Sequence, residues 1–213
     1  MIEARGSRAA LVRAYDFYSY LYGRTAARLE REAVTQGLKR AQVAPGEHVL
    51  EVAVGTAAAF ERLARRVGPR GLLVGVDLSS GMLAAARRRM PGARLARADA
   101  RALPFANDSF DLVWASYLLD LIPTAEMTPV LEELRRVLQS GGRLLLVNFS
   151  KTGAEPTWWE RLYALTPDWL VPWLFAGCRP VEAEPFVREA GFAEVTREFV
   201  RAGFPSEIIT ARK

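Results

Sequence analysis

The sequence predicts an α/β fold, in which helices cover both faces of a doubly wound, mainly parallel sheet. Two observations support this prediction. Short, continuously apolar runs alternate along the chain with amphipathic helical segments, as expected when parallel strands are buried on both faces. One such run, residues 49–54, leads into a small-residue turn and a helix, and the next run ends on the carboxylate Asp77.

Each element follows from a local pattern. Residues 8–40 have helical periodicity and an aromatic cluster, and Pro45-Gly46 ends this region. Strands are predicted at 49–54, 72–77, 93–98, 110–115 and 144–149, and helices at 56–67, 79–89, 124–138 and 181–190. Residues 193–200 and 207–211 can pair as a closing hairpin across Gly203-Phe204-Pro205. The prediction is therefore a seven-stranded sheet with one antiparallel edge strand.

The chain is expected to form one domain over residues 1–213, because it contains no repeat, low-complexity tract or linker. Residues 1–44 are expected to form a helical N-terminal cap. An inserted lid is expected at 151–180, which holds four of the five tryptophans. Ser140-Gly141-Gly142 is expected to end the helix that precedes the fifth strand.

Composition narrows the function classes. The 29 basic and 24 acidic residues give a net charge of +5, and the surplus is spread over helices, so no nucleic-acid partner is expected. The single cysteine, Cys178, excludes an internal disulfide and a cysteine zinc site, and no metal site is predicted. This cysteine usage fits a reducing, cytoplasmic setting. No run approaches the ~18 apolar residues that a membrane-spanning helix needs.

The turn after the first strand has the features of a nucleoside-binding site. It reads Glu51-x-Ala53-x-Gly55-x-Ala57, and Gly55 lets the backbone come close to a ligand. Asp77 follows the second strand, where a carboxylate can accept hydrogen bonds from ribose hydroxyls. Ala53 and Ala57 fit without cost if φ is negative, but a positive φ would add strain of ~1 kcal/mol or more at each.

Further segments extend the pattern: Pro104-Phe105, Asp108-Ser109-Phe110-Asp111 and Leu134-Arg135-Arg136-Val137-Leu138-x-x-Gly141-Gly142. In order and spacing, residues 45–150 resemble class I S-adenosylmethionine-dependent methyltransferases, in the group that includes ubiquinone and menaquinone biosynthesis enzymes. Residues 180–213 resemble the group more loosely. The resemblance implies a Rossmann-like fold, S-adenosylmethionine as cofactor and S-adenosylhomocysteine as product.

The resemblance also implies roles for individual residues. Glu51 would reach the amino end of the cofactor, Asp77 the ribose, and Asp99 the adenine amino group. The implied cofactor-binding set is Glu51, Ala53, Gly55, Ala57, Asp77, Leu78, Met82, Asp99, Ala100, Ala115 and Ser116. The family loop carries three glycines and this chain has alanine at the outer two, which puts normal cofactor affinity in question. A dinucleotide is the main rival ligand, but the Gly-x-Gly-x-x-Gly spacing is missing.

Methyl transfer from a sulfonium mainly requires that the nucleophile be aligned behind the methyl group. The sole histidine, His48, begins the first strand, at the end away from the ligand, so it is interpreted as structural. Asp120 and Tyr15 are the candidate catalytic residues, with capping of a turn as the alternative for Asp120. The candidate acceptor-binding residues are Tyr15, Tyr18, Tyr22, Tyr117, Trp158, Trp159 and Trp173.

The acceptor is left open at this stage. A quinone precursor or phenol, methylated on carbon or oxygen, is one expectation, and a phospholipid amine of the phosphatidylethanolamine type is the alternative. A non-catalytic scaffold or regulator is a second alternative, motivated by Ala53 and Ala57. The tryptophans favour a small lipophilic acceptor and peripheral contact with the inner face of a membrane. They could equally pack the lid or form a dimer contact, so monomer and homodimer both remain open.

Overall fold

The computed structural model describes residues 2–19, 29–150 and 158–213. Its centre is a seven-stranded sheet with the strand order β3-β2-β1-β4-β5-β7-β6. The strands are β1 (His48–Val52), β2 (Leu72–Asp77), β3 (Arg94–Arg97), β4 (Phe110–Ser116), β5 (Leu138–Phe149), β6 (Ala193–Val200) and β7 (Ser206–Arg212). The predicted α/β fold with seven strands is confirmed.

The winding direction reverses at the centre of this sheet. β1 pairs in parallel with β2 on one side and with β4 on the other, so the carboxyl ends of these strands meet at one edge. β7 is antiparallel to both β5 and β6. The antiparallel strand is therefore β7, which lies second from the edge of the sheet. The edge strand is β6, the other strand of the closing hairpin.

Helices cover both faces of the sheet. They are α1 (Arg8–Tyr18), α2 (Arg31–Arg40), α3 (Ala58–Val67), α4 (Ser80–Arg89), α5 (Thr124–Val137), α6 (Trp158–Leu165), α7 (Val171–Leu174) and α8 (Glu184–Glu189), with a 3-10 turn at Leu119–Leu121. Leu50 of β1 packs with α5 and α8, while its neighbour Val49 packs with α2 and α3. The alternation along each strand thus builds two apolar layers.

The end of α5 differs from the prediction. The helix ends at Val137, and Leu138 already pairs with Phe110 as the first residue of β5. Ser140-Gly141-Gly142 therefore lies inside the assigned strand and does not end the helix. Leu138 is held by its pairing with Phe110, and the next pair is Leu112 with Arg143, so residues 139–142 form an irregularity in the ladder to β4.

The N-terminal segment crosses the carboxyl ends of the strands and is tied down on both sides. Asp16 of α1 accepts hydrogen bonds from the Ser79 hydroxyl at 2.5 Å and from the Gly81 amide at 2.8 Å, next to α4. On the other side, Arg5 donates to Asp168 at 2.7 Å and to the Ala164 carbonyl at 2.6 Å. Within the described ranges, no helix is long and apolar enough to cross a membrane.

Candidate active site

A cavity of about 660 Å³ lies at the carboxyl ends of the parallel strands. Its floor is formed by the segments that follow four strands: 52–56 after β1, 77–79 after β2, 98–101 after β3 and 116–118 after β4. The N-terminal segment and α1 form its roof, through Ala4, Arg5, Gly6, Arg8, Leu11, Val12 and Tyr15. This is the position at which open, doubly wound sheets bind ligands.

The turn after β1 exposes bare backbone to the cavity. Gly55 has a φ of 51°, and no atom lies within 4 Å of the position that a Cβ would take there. Ala53 and Ala57 also have positive φ values, 59° and 63°. Because a Cβ is disfavoured at positive φ, each of these alanines carries ~1 kcal/mol or more of backbone strain.

Asp77 holds this turn in place. Its carboxylate accepts hydrogen bonds from the amides of Gly55 and Ser79, both at 2.8 Å. Burial raises the pKa of Asp77, and these backbone hydrogen bonds offset part of the rise. Since each carboxylate oxygen has more than one lone pair, Asp77 can still accept from hydroxyl groups in the cavity.

Glu51 is a buried carboxylate in the cavity wall. The side chain is 1% exposed, and its Oε2 atom has no hydrogen-bond partner among the described residues. Burial, and next the nearby Asp77, raise the pKa of Glu51 well above its ordinary value. An unsatisfied buried acceptor is costly, so a cationic ligand group at this point would be stabilised.

Asp99 follows β3 and is already engaged. It accepts from Arg8 Nη1 at 2.6 Å, from the Arg101 amide at 3.1 Å and from Arg101 Nη1 at 3.2 Å. The carboxylate thus links the roof of the cavity to its floor. A ligand amino group that bonds Asp99 has to share it with Arg8 or displace the Arg8 guanidinium.

The other predicted cofactor residues divide into two groups. Leu78, Met82, Ala100 and Ser116 line the cavity together with Ala53. Ala57 and Ala115 lie behind the wall, because Ala57 is the N-cap residue of α3 and Ala115 packs within β4, and both belong to the apolar core. Their positions do not support the predicted cofactor contact.

The two tyrosines Tyr15 and Tyr117 also line the cavity. The Tyr15 hydroxyl lies 3.7 Å from Cys178 Sγ, and the Tyr117 hydroxyl lies 2.9 Å from the Ser206 hydroxyl. Tyr117 has a φ of 53°, unusual for a bulky residue, directly after β4. Burial raises the pKas of Tyr117 and Cys178, so both groups keep their protons near neutral pH.

Four predicted acceptor residues lie outside the cavity wall. The Tyr18 hydroxyl donates to the Trp173 carbonyl, and the two rings pack edge to face. Trp159 points inward and packs on the rings of Phe149 and Phe175, whereas Trp158 is 72% exposed. The remaining candidate, Tyr22, lies outside the described residues.

Asp120 is placed for a structural role. It is fully buried, outside the cavity wall, and both carboxylate oxygens lie 3.1 Å from the Phe149 amide, which donates to them. Burial raises the pKa of Asp120 well above its ordinary value. The predicted proton transfer from an acceptor is therefore not supported by its position, and Tyr15 remains the candidate that faces the cavity.

Part of the cavity wall consists of residues that belong to no sequence motif. These residues come mainly from α1, the start of α2 and the segment after β4: Leu11, Val12, Glu30, Val34, Leu118, Leu121, Ile122, Pro123, Glu126 and Pro129. The spacing of Leu11 and Tyr15 on one face of α1 was an available signal. No sequence pattern predicts that Glu30 lines the cavity, because its position depends on how α2 packs.

Comparison with known proteins gives the family. A family model described as a methyltransferase domain matches residues 49–142. A demethylmenaquinone methyltransferase from Symbiobacterium thermophilum is 30% identical over 187 residues, which cover 75% of this chain and 73% of that protein. This chain belongs to the S-adenosylmethionine-dependent methyltransferases. The resemblance seen in the sequence is thereby confirmed.

Two further comparisons refine the likeness. The ubiquinone/menaquinone biosynthesis C-methyltransferase UbiE of Xanthomonas oryzae is 33% identical over 173 residues, 78% of this chain. This chain spans about 64% of the length of that relative. A crystal structure of an S-adenosylmethionine-dependent methyltransferase from Thermotoga maritima shares the fold, with a TM-score of 0.67 at 20% identity over 94% of this chain and 99% of that one.

The cavity fits the cofactor of this family. Oε2 of Glu51 needs a donor, and an ammonium group would supply one. The open space beside Gly55 leaves room against the backbone, and Asp77 can accept from a diol. Each of these features lies at the tip of β1 or β2.

Proposed function

We propose that this protein transfers a methyl group from S-adenosylmethionine to a small lipophilic acceptor of the quinone-precursor or phenol type. One observation supports the proposal: a single cavity is lined at the strand tips by the carboxylates of Glu51, Asp77 and Asp99, and elsewhere by a set of apolar side chains that we call its apolar half. The names of the relatives, which are C-methyltransferases of ubiquinone and menaquinone biosynthesis, favour carbon as the methylated atom.

The carboxylate-lined half would hold the cofactor. Asp77 would bind the ribose hydroxyls, Glu51 the amino group and Asp99 the adenine amino group, with Gly55 at the close approach. When bound there, S-adenosylmethionine supplies an electrophilic methyl group on a sulfonium. Fixing the ligand along the strand tips lets the protein lower the barrier mainly by orientation.

The apolar half would hold the acceptor and exclude water. Its wall contains Leu11, Val12, Val34, Leu118, Leu121 and Ile122. Tyr15 belongs to the same cavity wall, with its hydroxyl beside Cys178 Sγ, and we infer that this hydroxyl turns to an acceptor hydroxyl on binding and keeps the ring in one orientation. A phenol that releases its proton to water before it is enclosed has a more nucleophilic ring, and a hydroxyl that donates to the phenolate oxygen stabilises that form.

Radiolabelled S-adenosylmethionine tests the proposal with two acceptors, a demethylated quinone precursor with a shortened side chain and phosphatidylethanolamine. We expect label in the quinone precursor only. Leu121→Trp should fill the apolar half and abolish transfer, while Leu162→Trp, at an exposed position outside the cavity, should leave it unchanged. Label in phosphatidylethanolamine alone would replace the proposed acceptor. Cofactor binding without transfer to either would favour a scaffold.

We also propose that the protein works in the cytoplasm at the inner face of a membrane. The argument is the chemistry of the acceptor, since a lipophilic molecule partitions into the bilayer. Cell fractionation tests this point, because the protein should divide between the soluble fraction and the salt-extractable membrane fraction.

A further inference from the structure

The large apolar side chains that are exposed in the described part of the chain are concentrated in two segments, which pack on each other through Phe17, Tyr18 and Trp173. All except Leu29 belong to α1 or to residues 158–174. We call the exposed surface of these two segments the tryptophan face, and its members are Phe17, Trp158, Leu162, Leu165, Trp169, Trp173 and Leu174. Leu165 is 83% exposed and Trp169 is 70% exposed. A clustered apolar surface of this kind marks an interaction site.

The outward side of α6 is apolar and exposed in the described part of the chain. Its inward side is complete, because Tyr163 is buried with Val171 and Phe175. Its outward side carries Trp158, Leu162 and Leu165 at positions i, i+4 and i+7, all exposed. A helix that is apolar on both sides is normally buried on both, and here nothing in the described chain covers the second.

The tryptophan face is continuous with the roof of the cavity. The Trp173 ring packs edge to face on Phe17 of α1, with 5.9 Å between ring centroids. The opposite side of the same helix lines the apolar half of the cavity through Leu11 and Tyr15. Whatever covers the tryptophan face therefore lies one helix away from the proposed acceptor site.

Two unpaired cations lie on this surface. Arg13 is one helical turn before Phe17 on α1, and Arg161 lies on the outward side of α6 beside Leu165. Both are exposed, and neither forms an ion pair with any described residue. The nearby acid, Asp168, is bonded to Arg5 at 2.7 Å. The surface is thus apolar with an unbalanced positive charge.

We propose that the tryptophan face docks onto an anionic phospholipid bilayer. Tryptophan rings with one polar edge sit at the boundary between headgroups and acyl chains, and unpaired arginines meet the phosphates. A two-fold dimer through the same face is disfavoured, because symmetry sets like charges against each other. The purpose of docking, delivery of a lipophilic acceptor, rests on the proposed function, but docking itself is measurable without catalysis.

Vesicle flotation of the full chain tests the proposal. We expect recovery with vesicles of phosphatidylglycerol and phosphatidylcholine, and much less with phosphatidylcholine alone or in high salt. The combined variant Trp158→Ser, Leu165→Ser and Trp169→Ser should lower the partition coefficient at least about tenfold. Arg161→Gln should lower it about fivefold on anionic vesicles only. Leu29→Ser, at an exposed position that belongs to neither α1 nor residues 158–174, is the control for the loss of an exposed leucine and should change the partition coefficient less than the combined variant.

Two more measurements separate the outcomes. In the wild type, brominated phospholipid should quench tryptophan fluorescence, a readout that needs no variant. The combined variant should keep its transfer activity on the short-chain quinone precursor, so a failure of docking differs from a failure of the proposed function. Equal recovery of wild type and combined variant would overturn the proposal. A concentration-dependent dimer that the same variant abolishes, without vesicle recovery, would overturn it in favour of a second copy.

Discussion

The two halves of the cavity wall were predictable to very different degrees. In the half built from strand tips, Glu51, Gly55, Asp77 and Asp99 all line the cavity where the chain pattern placed them. In the half built from the cap and lid, the predicted tryptophans do not reach the cavity. Trp159, for example, points into the lid core against Phe149.

The difference between the two halves shows that a residue's position can be predicted from the sequence only where the sheet fixes it. A residue at the end of a parallel strand is placed by the sheet, because register and hydrogen bonding fix where the strand stops. A residue on a short surface helix is placed by the rotation of that helix, and a helix that is apolar on both sides gives no periodic signal for it. Four experiments can break or sharpen this comparison.

The largest effect is expected at the strand tips. Asp77→Ala should weaken cofactor binding about 100-fold, because two charge-assisted hydrogen bonds to the ligand are lost. It should also lower stability, since Asp77 fixes the Gly55 and Ser79 amides. Calorimetric titration and thermal melting measure the two effects.

Asp111→Ala is the matched control for this variant. Asp111 also accepts from a backbone amide, that of His48 at 2.7 Å, but at the opposite end of the sheet. It should cost stability and leave cofactor affinity unchanged. Similar affinity losses in both variants would mean that Asp77 acts only through the fold.

The lid offers a pair of adjacent tryptophans that differ in burial, since their rings pack edge to face at 5.7 Å between centroids and Trp158 is 72% exposed. Trp159→Ala should cost roughly 2–3 kcal/mol of unfolding free energy, because the ring packs on Phe149 and Phe175. Trp158→Ala should change it by less than about 0.5 kcal/mol, since that side chain is exposed. Denaturant melts give both values, and equal losses would contradict the orientation of α6.

The strain in the β1 turn predicts a gain of stability. Ala53→Gly and Ala57→Gly should each stabilise the fold by about 1 kcal/mol or less, because glycine adopts positive φ without a Cβ clash and loses part of that gain to backbone entropy. Ala64→Gly, in the interior of α3, is the control and should destabilise. Destabilisation by all three would show that neither turn alanine is strained.

The smallest effect concerns pH. Because the native pKa of Glu51 is raised, the folded protein holds a proton that the unfolded chain loses near the ordinary value of 4.5. The contribution of Glu51 to the free energy of unfolding is complete below pH 4.5. It declines as the pH rises from 4.5 toward the raised native pKa. Glu51→Gln should make the decline shallower without abolishing it, since burial also raises the pKas of Asp77, Asp120 and Glu207. Denaturant melts at about pH 5 and pH 8 would test this, and an unchanged slope would contradict it.

The sequence was sufficient for the fold because each strand carries its own signal. β2 begins and ends at the predicted residues, and the closing hairpin lies across Gly203 as expected. Asp120 shows the limit, because its distance along the chain from β4 suited a catalytic role. Its carboxylate instead turns to the Phe149 amide, and only the three-dimensional neighbourhood reveals that choice. Glu30 is the opposite case, because it lines the cavity although no sequence motif predicts it.

The most direct test of the account is calorimetric titration of the wild-type chain with S-adenosylmethionine and with S-adenosylhomocysteine. The account predicts that each ligand binds at one site per chain, and that the second competes with the first for the cavity at the tips of β1 and β2. A folded protein that gives no heat with either ligand at millimolar concentration would contradict it.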